Sequence, residues 1–229
     1  MRRFILVALM VVTVAGCDRF PDLSIQIVAN LPPSAGDCTV MANQTEVLFG
    51  GTFDLAPSNA RPYFINPQIE SYLVNNNLEF QAAQNNMQVD SFDITILLPD
   101  HTQPDFGADL PNPYRVTTSV VIPPATSAGS GSLGVASAIG IPASYYDALL
   151  NIESSTGFES IVLEIRANGT TAGGFSQQSP SFFWPVYFCN GCLGTTCEPP
   201  AMQGDPAPDS CYPGQDIWQY CAEIAAATP

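Results

Sequence analysis

From Cys38 to Phe188 the chain runs in apolar or alternating stretches of about five to ten residues, separated by Pro, Gly, Asn and Asp. That punctuation belongs to a β protein. It predicts strands over 46–55 (interrupted by Gly50-Gly51), 63–74, 91–98, 114–122, 133–139, 160–167 and 182–188. The clearest run is Ile161-Val-Leu-Glu-Ile-Arg166, which puts Ile161, Leu163 and Ile165 on one side and Val162, Glu164 and Arg166 on the other, the two-residue period of a half-buried strand. Asn168-Gly169 follows, a dipeptide suited to a tight hairpin turn. Helical signal is confined to 142–150, where proline opens a short connecting helix. The Ala/Ser/Gly-rich stretch 123–140 reads as a long inter-strand connection. This spacing predicts an all-β chain, an antiparallel β-sandwich of immunoglobulin-like or related type.

The N-terminus has a different pattern. Met1-Arg2-Arg3 precedes an unbroken apolar or small run, 4–15, that ends in Val14-Ala15-Gly16-Cys17. As a helix the run would be about 18 Å long, short of the ~30 Å hydrocarbon core of a bilayer. It reads as an export signal, and its last four residues resemble the lipobox of bacterial lipoproteins. Cys17 is then the lipidated first residue of the mature chain, and residues 1–16 are the signal peptide. Residues 17–37 read as a lipidated tether with room for one short strand near Ser24–Val28, residues 38–188 as the sandwich, and residues 189–229 as a cysteine-rich segment.

Charge excludes one class of partner and cysteine content sets the redox expectation. The chain has 21 acidic and 6 basic residues, all six of them arginine, for a net charge of -15. Loss of Arg2 and Arg3 with the signal leaves 21 acidic against 4 basic, or -17. A chain this acidic repels phosphate, so no nucleic acid is expected as a partner. Of the 7 cysteines, one is assigned to lipid. Cys38, Cys189, Cys192, Cys197, Cys211 and Cys221 remain, an even set that outside the cytoplasm predicts disulfides. Cys211 and Cys221 are the most plausible local pair, and the remaining connectivity is open.

Motifs that carry chemistry are few. Cys189-x-x-Cys192 lacks the helix N-terminus that activates a redox thiol, and Leu193 stands where haem attachment needs histidine. A zinc site drawn from Cys189, Cys192, Cys197 and Cys211 has tolerable spacing, but exported cysteines usually oxidise. Gly129-Ser-Gly131-Ser-Leu-Gly134 matches a dinucleotide fingerprint in letters only, without a β-α-β unit around it. The lone His101 has no nucleophile elbow to serve. Two acidic loops, one with Asp100, Asp105 and Asp109 and the other with Asp205, Asp209 and Asp216, suit calcium by composition but follow no binding-loop pattern. The expectation is no enzyme, no catalytic residue, no metal and no cofactor.

Several of these segments together resemble the uncharacterised cysteine-rich lipoproteins of myxobacteria and related bacteria. They are the lipobox, Cys38 ahead of Gly50-Gly-Thr-Phe-Asp54, Tyr63 with Tyr72-Leu-Val-Asn-Asn76, Cys189-Asn-Gly-Cys192-Leu193, Cys211-Tyr-Pro-Gly-Gln-Asp216, and Cys221. The resemblance spans most of the mature chain. It implies an exported, lipid-anchored protein with a disulfide framework, and it transfers no catalytic residue.

Three functions follow as expectations. The first is a non-enzymatic structural or adhesive protein of the cell envelope, held to the membrane by its lipid and touching an envelope protein or polysaccharide. The second is a carbohydrate- or ligand-binding module, with Tyr145, Tyr146, Trp184 and Trp218 as candidate stacking rings. The third is an envelope hydrolase or redox protein.

Overall fold

The computed structural model describes residues 24–34, 38–55, 61–74, 82–127, 129–157, 159–189 and 215–216. The assignments to Cys17, Cys192, Cys197, Cys211, Cys221, Asp205, Asp209 and Trp218, and to the signal peptide, lie outside these residues. The strands are β1 (Ile25–Asn30), β2 (Gly51–Asp54), β3 (Tyr63–Ile65), β4 (Pro67–Ser71), β5 (Met87–Leu97), β6 (Tyr114–Ile122), β7 (Ser132–Val135), β8 (Ala138–Ile141), β9 (Ser160–Thr171), β10 (Ser176–Gln178) and β11 (Phe182–Cys189), with a helix α1 (Tyr146–Thr156) between β8 and β9. Strand is therefore the dominant regular structure among the described residues. No helix among the described residues is long and apolar enough to cross a membrane.

The strands form three sheets. The largest has six strands in the order β2-β11-β9-β5-β6, with β10 added to β9. β2 runs parallel to β11 and the other pairs are antiparallel. The smaller sheets are β1-β4-β7 and β3-β8. The long alternating segments fold as their pattern dictates. β6 covers 114–122, and in β9 Ile161, Leu163 and Ile165 point inward at 0–1% exposure. One core joins these residues and Ile94 and Ile96 of β5 to Ile25, Ile65, Ile69 and Ile141 of the smaller sheets, and to Leu149 and Ile152 of α1.

Two expected strands are each cut in two. Residues 63–74 become β3 and β4, residues 133–139 become β7 and β8, and the halves belong to different sheets. The register nevertheless carries through the break: Ile65 faces Ala138 and Gln68 faces Val135, which sets Asn66 and Pro67 opposite Ser137 and Ala136. Pro67 has no N–H to give, so the ladder opens there. The Ala136 N–H donates to the Pro67 carbonyl at 3.2 Å and the Ser137 hydroxyl donates to Asn66 Oδ1 at 2.7 Å. Asn66, 3% exposed, also takes an N–H bond to Asn30 Oδ1 (2.6 Å) and gives its amide to the Leu31 carbonyl (3.0 Å). Its polar groups are thus matched inside the core, as burial requires.

Other local expectations change for physical reasons. Asn168-Gly169 lies within β9 and makes no turn; the chain reverses at 172–175, where the Thr171 N–H donates to the Phe175 carbonyl at 2.9 Å. Gly169 answers a packing need, since a Cβ there would sit 2.5 Å from the Gln88 carbonyl oxygen, beside the extra residue of β5 between Val89 and Ser91. The glycine fingerprint runs into β7, where Gly134 packs against Ile122. Within the stretch 123–140, read as a long connection, β7 and the first three residues of β8 are strand. The helix starts later than expected, after a 3-10 turn over Ala143–Tyr145 with Pro142 at its N-cap. β1, foreseen at most as a short strand in a tether, pairs with β4 and places Ile25 and Ile27 in the core.

Candidate binding face

β11 carries seven apolar residues in succession, Phe-Phe-Trp-Pro-Val-Tyr-Phe over 182–188, so composition alone does not say which side is buried. The sheet decides. Trp184 (2% exposed), Val186 and Phe188 point to the core, while Phe183 and Tyr187 are 50% and 57% exposed. Pro185 lies between them on the outer side, so the two rings stand about 13 Å apart along the strand at ~3.3 Å per residue. Gly50 runs alongside, where a Cβ would lie 3.5 Å from Pro185 Cγ and 3.6 Å from Tyr187 Cε2. Phe49, 86% exposed, precedes it. His101, at φ 65 in the turn after β5, meets Phe183 edge-on with ring centroids 5.8 Å apart.

The same outer face continues into charge. Phe183 pairs with Glu164 of β9, and on the next row Arg166 of β9 pairs with Asp93 of β5, which pairs with Arg115 of β6. Arg115 donates to both carboxylate oxygens of Asp93, at 2.6 and 3.0 Å. Asn168 and Gln178 add bonds to Asp93 Oδ2 at 3.0 and 3.3 Å. Glu164 accepts from the Ser181 hydroxyl and from Arg166, both at 2.6 Å. The Arg115 bond holds the Asp93 carboxyl below its ordinary range, and the Ser181 bond does the same for Glu164. Both carboxylates are therefore charged acceptors at neutral pH. With Thr95, Pro113 and Tyr114 these four side chains line a shallow groove of about 340 Å³.

Of the ring candidates named from sequence, Tyr145, Tyr146 and Trp184 are elsewhere, and Trp218 is outside the described residues. Tyr145 and Tyr146 are 3% and 7% exposed and belong to the core with Trp184. The rings that face solvent are the alternate neighbours of Trp184, and the two-residue strand period was the signal that would have found them.

A second cluster sits at the β2 edge. Gln215 bridges to Phe53, accepts the Phe64 N–H at 2.6 Å and donates to the Phe64 carbonyl at 2.9 Å. Asp216, at φ 58, gives its N–H to the Thr52 carbonyl (3.0 Å) and takes the Thr52 N–H on Oδ1 (2.8 Å). The Gln215 amide (3.1 Å) and the Tyr63 hydroxyl (3.3 Å to each oxygen) complete the shell of its carboxylate. Trp184 Nε1–H donates to the Tyr63 hydroxyl at 3.0 Å. Part of Asp216 still reaches solvent, but burial of its carboxylate outweighs these donors and pushes its pKa up to about 6. Tyr63 is raised well above its ordinary value by its own burial first and by the Asp216 charge second. Asp216, foreseen as a calcium candidate, is thus turned into the protein.

The other acidic loop is satisfied by its own turns. Asp100 Oδ1 accepts from the Thr102 N–H (2.9 Å) and hydroxyl (2.6 Å), and Asp105 Oδ1 accepts the Gly107 N–H (2.8 Å). Among the described residues no three His, Cys, Asp or Glu side chains are grouped to hold a metal. Cys38, at φ 57, is disulfide-bonded, and the Cys189 side chain is outside the described set.

Fold and face together define an all-β, sandwich-like domain with a solvent-facing row of rings leading into a row of paired charges. No family model and no curated protein matches the chain. Among solved structures, the collagen-binding subdomain of the Enterococcus faecalis surface protein ACE aligns with 63% of this chain and 99% of that one, at 11% identity and a TM-score of 0.18.

Proposed function

We propose that the chain is a lipid-anchored protein of a bacterial cell envelope with a non-enzymatic, adhesive role. In this reading its immunoglobulin-like or related β-sandwich holds an envelope polysaccharide on the outer face of the six-stranded sheet. The carrying observation is the continuity of that face, from Tyr187, Pro185 and Phe183 to Glu164, Arg166, Asp93 and Arg115. Exposed rings stack on the C–H faces of sugars, and neighbouring fixed donors and acceptors meet their hydroxyls. Burying a half-exposed ring against a ligand also removes apolar surface from water.

The test is co-sedimentation of the processed chain with purified envelope polysaccharides, alongside a glycan array. Phe183→Ala with Tyr187→Ala is expected to weaken binding about tenfold or more at an unchanged melting temperature, since each ring contributes ~0.5–1.5 kcal/mol. No binding by the wild type, or equal binding by the variant, overturns the reading. Strong array binding to a short soluble glycan would shift it to a ligand-binding module on the same face.

The anchor has its own test. Growth with an alkyne fatty acid is expected to label the wild-type chain in the membrane fraction, and Cys17→Ser should abolish the label and release the chain from membranes. A labelled Cys17→Ser chain would refute the lipobox. Three disulfides among Cys38, Cys189, Cys192, Cys197, Cys211 and Cys221 complete the proposal.

A further inference from the structure

The six-stranded sheet has two ends that the chain treats differently. At one end β2 is covered by Gln215, which bridges to Phe53, and by Asp216, which takes up the N–H and C=O of Thr52. At the other end, among the described residues, β6 pairs only with β5. An edge strand with free main-chain groups is a template for another strand, and proteins normally blunt it with charge, proline or a bulge. β6 has Pro113 before it and Pro123-Pro124 after it, with no proline or acid inside, Arg115 as its one charge and a single bulge between Thr117 and Val120 as its one blunting device. Arg115 is already neutralised by Asp93.

The charge pattern says what fits there. Between Asp109 and Asp147 the sequence has no acidic residue, the longest such run after Cys17. β6, β7 and β8 all come from this run and lie together: Gly134 packs on Ile122, the Thr118 hydroxyl donates to the Ser137 carbonyl at 3.0 Å, and the Tyr114 hydroxyl donates to the Gly140 carbonyl. A chain with net charge -15 repels its own copies over most of its surface. Among the described residues the meeting edges themselves carry no carboxylate: Asp90 and Asp93 stand one strand back on β5, and Asp93 is paired with Arg115.

We infer that β6 is a self-association edge, through which two copies pair antiparallel about a two-fold axis and join their six-stranded sheets into one. Arg115, Thr117, Ser119 and Val121 point outward and the even-numbered residues point inward. A two-fold pairing centred near Thr118 sets outward residues against outward ones, as a continuous sheet requires. β6 carries an extra residue relative to β5 between Thr117 and Val120. Under that symmetry the first half of one strand meets the second half of the other, and the two bulges meet at the axis. The β2 end is capped, so each copy offers one long edge in this sheet. The pair therefore closes as a dimer and does not grow into a fibre.

Sedimentation equilibrium of the full processed chain in density-matched detergent tests this. The wild type is expected to be a reversible dimer that strengthens with salt, because screening weakens the repulsion of the remaining surface. Thr117→Asp with Ser119→Asp is expected to give a monomer with an unchanged melting temperature, and the matching lysine pair should do the same. A readout on the wild type alone is amide hydrogen exchange, in which β6 amides should slow with rising protein concentration while those of β9 do not change. A monomer at every concentration and salt, a dimer that survives both charge pairs, or β6 exchange independent of concentration overturns the inference.

Discussion

Acidification from pH 7 to pH 4 is expected to stabilise the wild-type protein through Asp216. Burial raises its pKa from 3.8 to about 6 in the folded state. The native state therefore binds more protons than the unfolded state between those values, and stability is present in full below about 4 and is lost as pH rises through about 6. Linkage makes this worth as much as about 3 kcal/mol. Asp93 and Glu164 have the opposite sign: both are held below their ordinary values, and their contribution begins to fade near those values, at the acid end of this range, and is lost on further acidification. Neutralising the remaining carboxylates also relieves self-repulsion, so the wild-type slope alone does not isolate Asp216. Comparison with Asp216→Asn does, because the neutral amide keeps an acceptor for the Thr52 N–H. Urea unfolding at several pH values should show the wild-type advantage at acid pH shrink in the variant. Parallel stability curves for the two proteins would mean that the carboxylate is not confined as described.

The second large effect is expected at Trp184. Its ring is 2% exposed, stacks on Phe182 at 6.4 Å and donates to the Tyr63 hydroxyl, which in turn bonds Asp216. Trp184→Ala should cost about 3–5 kcal/mol, the cost of a large aromatic cavity, against a total stability that in domains of this kind is ~5–15 kcal/mol. Trp184→Phe keeps most of the apolar area and loses the indole N–H, so it should cost about 1–3 kcal/mol. Gly51 leaves no room for an alternative arrangement, since a Cβ there would overlap the Tyr63 hydroxyl. Urea midpoints should fall in the order wild type, Phe, Ala, with an unchanged slope. An Ala variant within about 1 kcal/mol of wild type would show that the site collapses to fill the space.

Sequence pattern revealed those elements whose neighbours matter little. β6 and the inward face of β9 were readable because strict alternation records burial on one side only. The breaks at Asn66-Pro67 and Ala136-Ser137 were not, because each depends on a partner strand far along the chain. Asn168-Gly169 misled for a related reason: the glycine that permits a turn also permits β5 to approach closely. In β11 aromatic residues occupy both faces, so chemistry alone pointed to Trp184 while solvent meets Phe183 and Tyr187. Asp216 read as a calcium-loop candidate because nothing in the segment around it records that β2 lacks a second neighbour.

Closure of the β2 edge also sets an order of events. β2 finds its strand partner in β11 and its cap in Gln215-Asp216, and the Thr52–Asp216 bond spans 164 residues. During synthesis from the N-terminus, β2 emerges early and waits for nearly the whole chain, while β5, β6 and β9 pair over shorter distances. Contacts of such long separation form late because their loop entropy must be met first. Until the β2 edge closes, this protein is open to mispairing, and a chaperone that binds unpaired strands would find its substrate there.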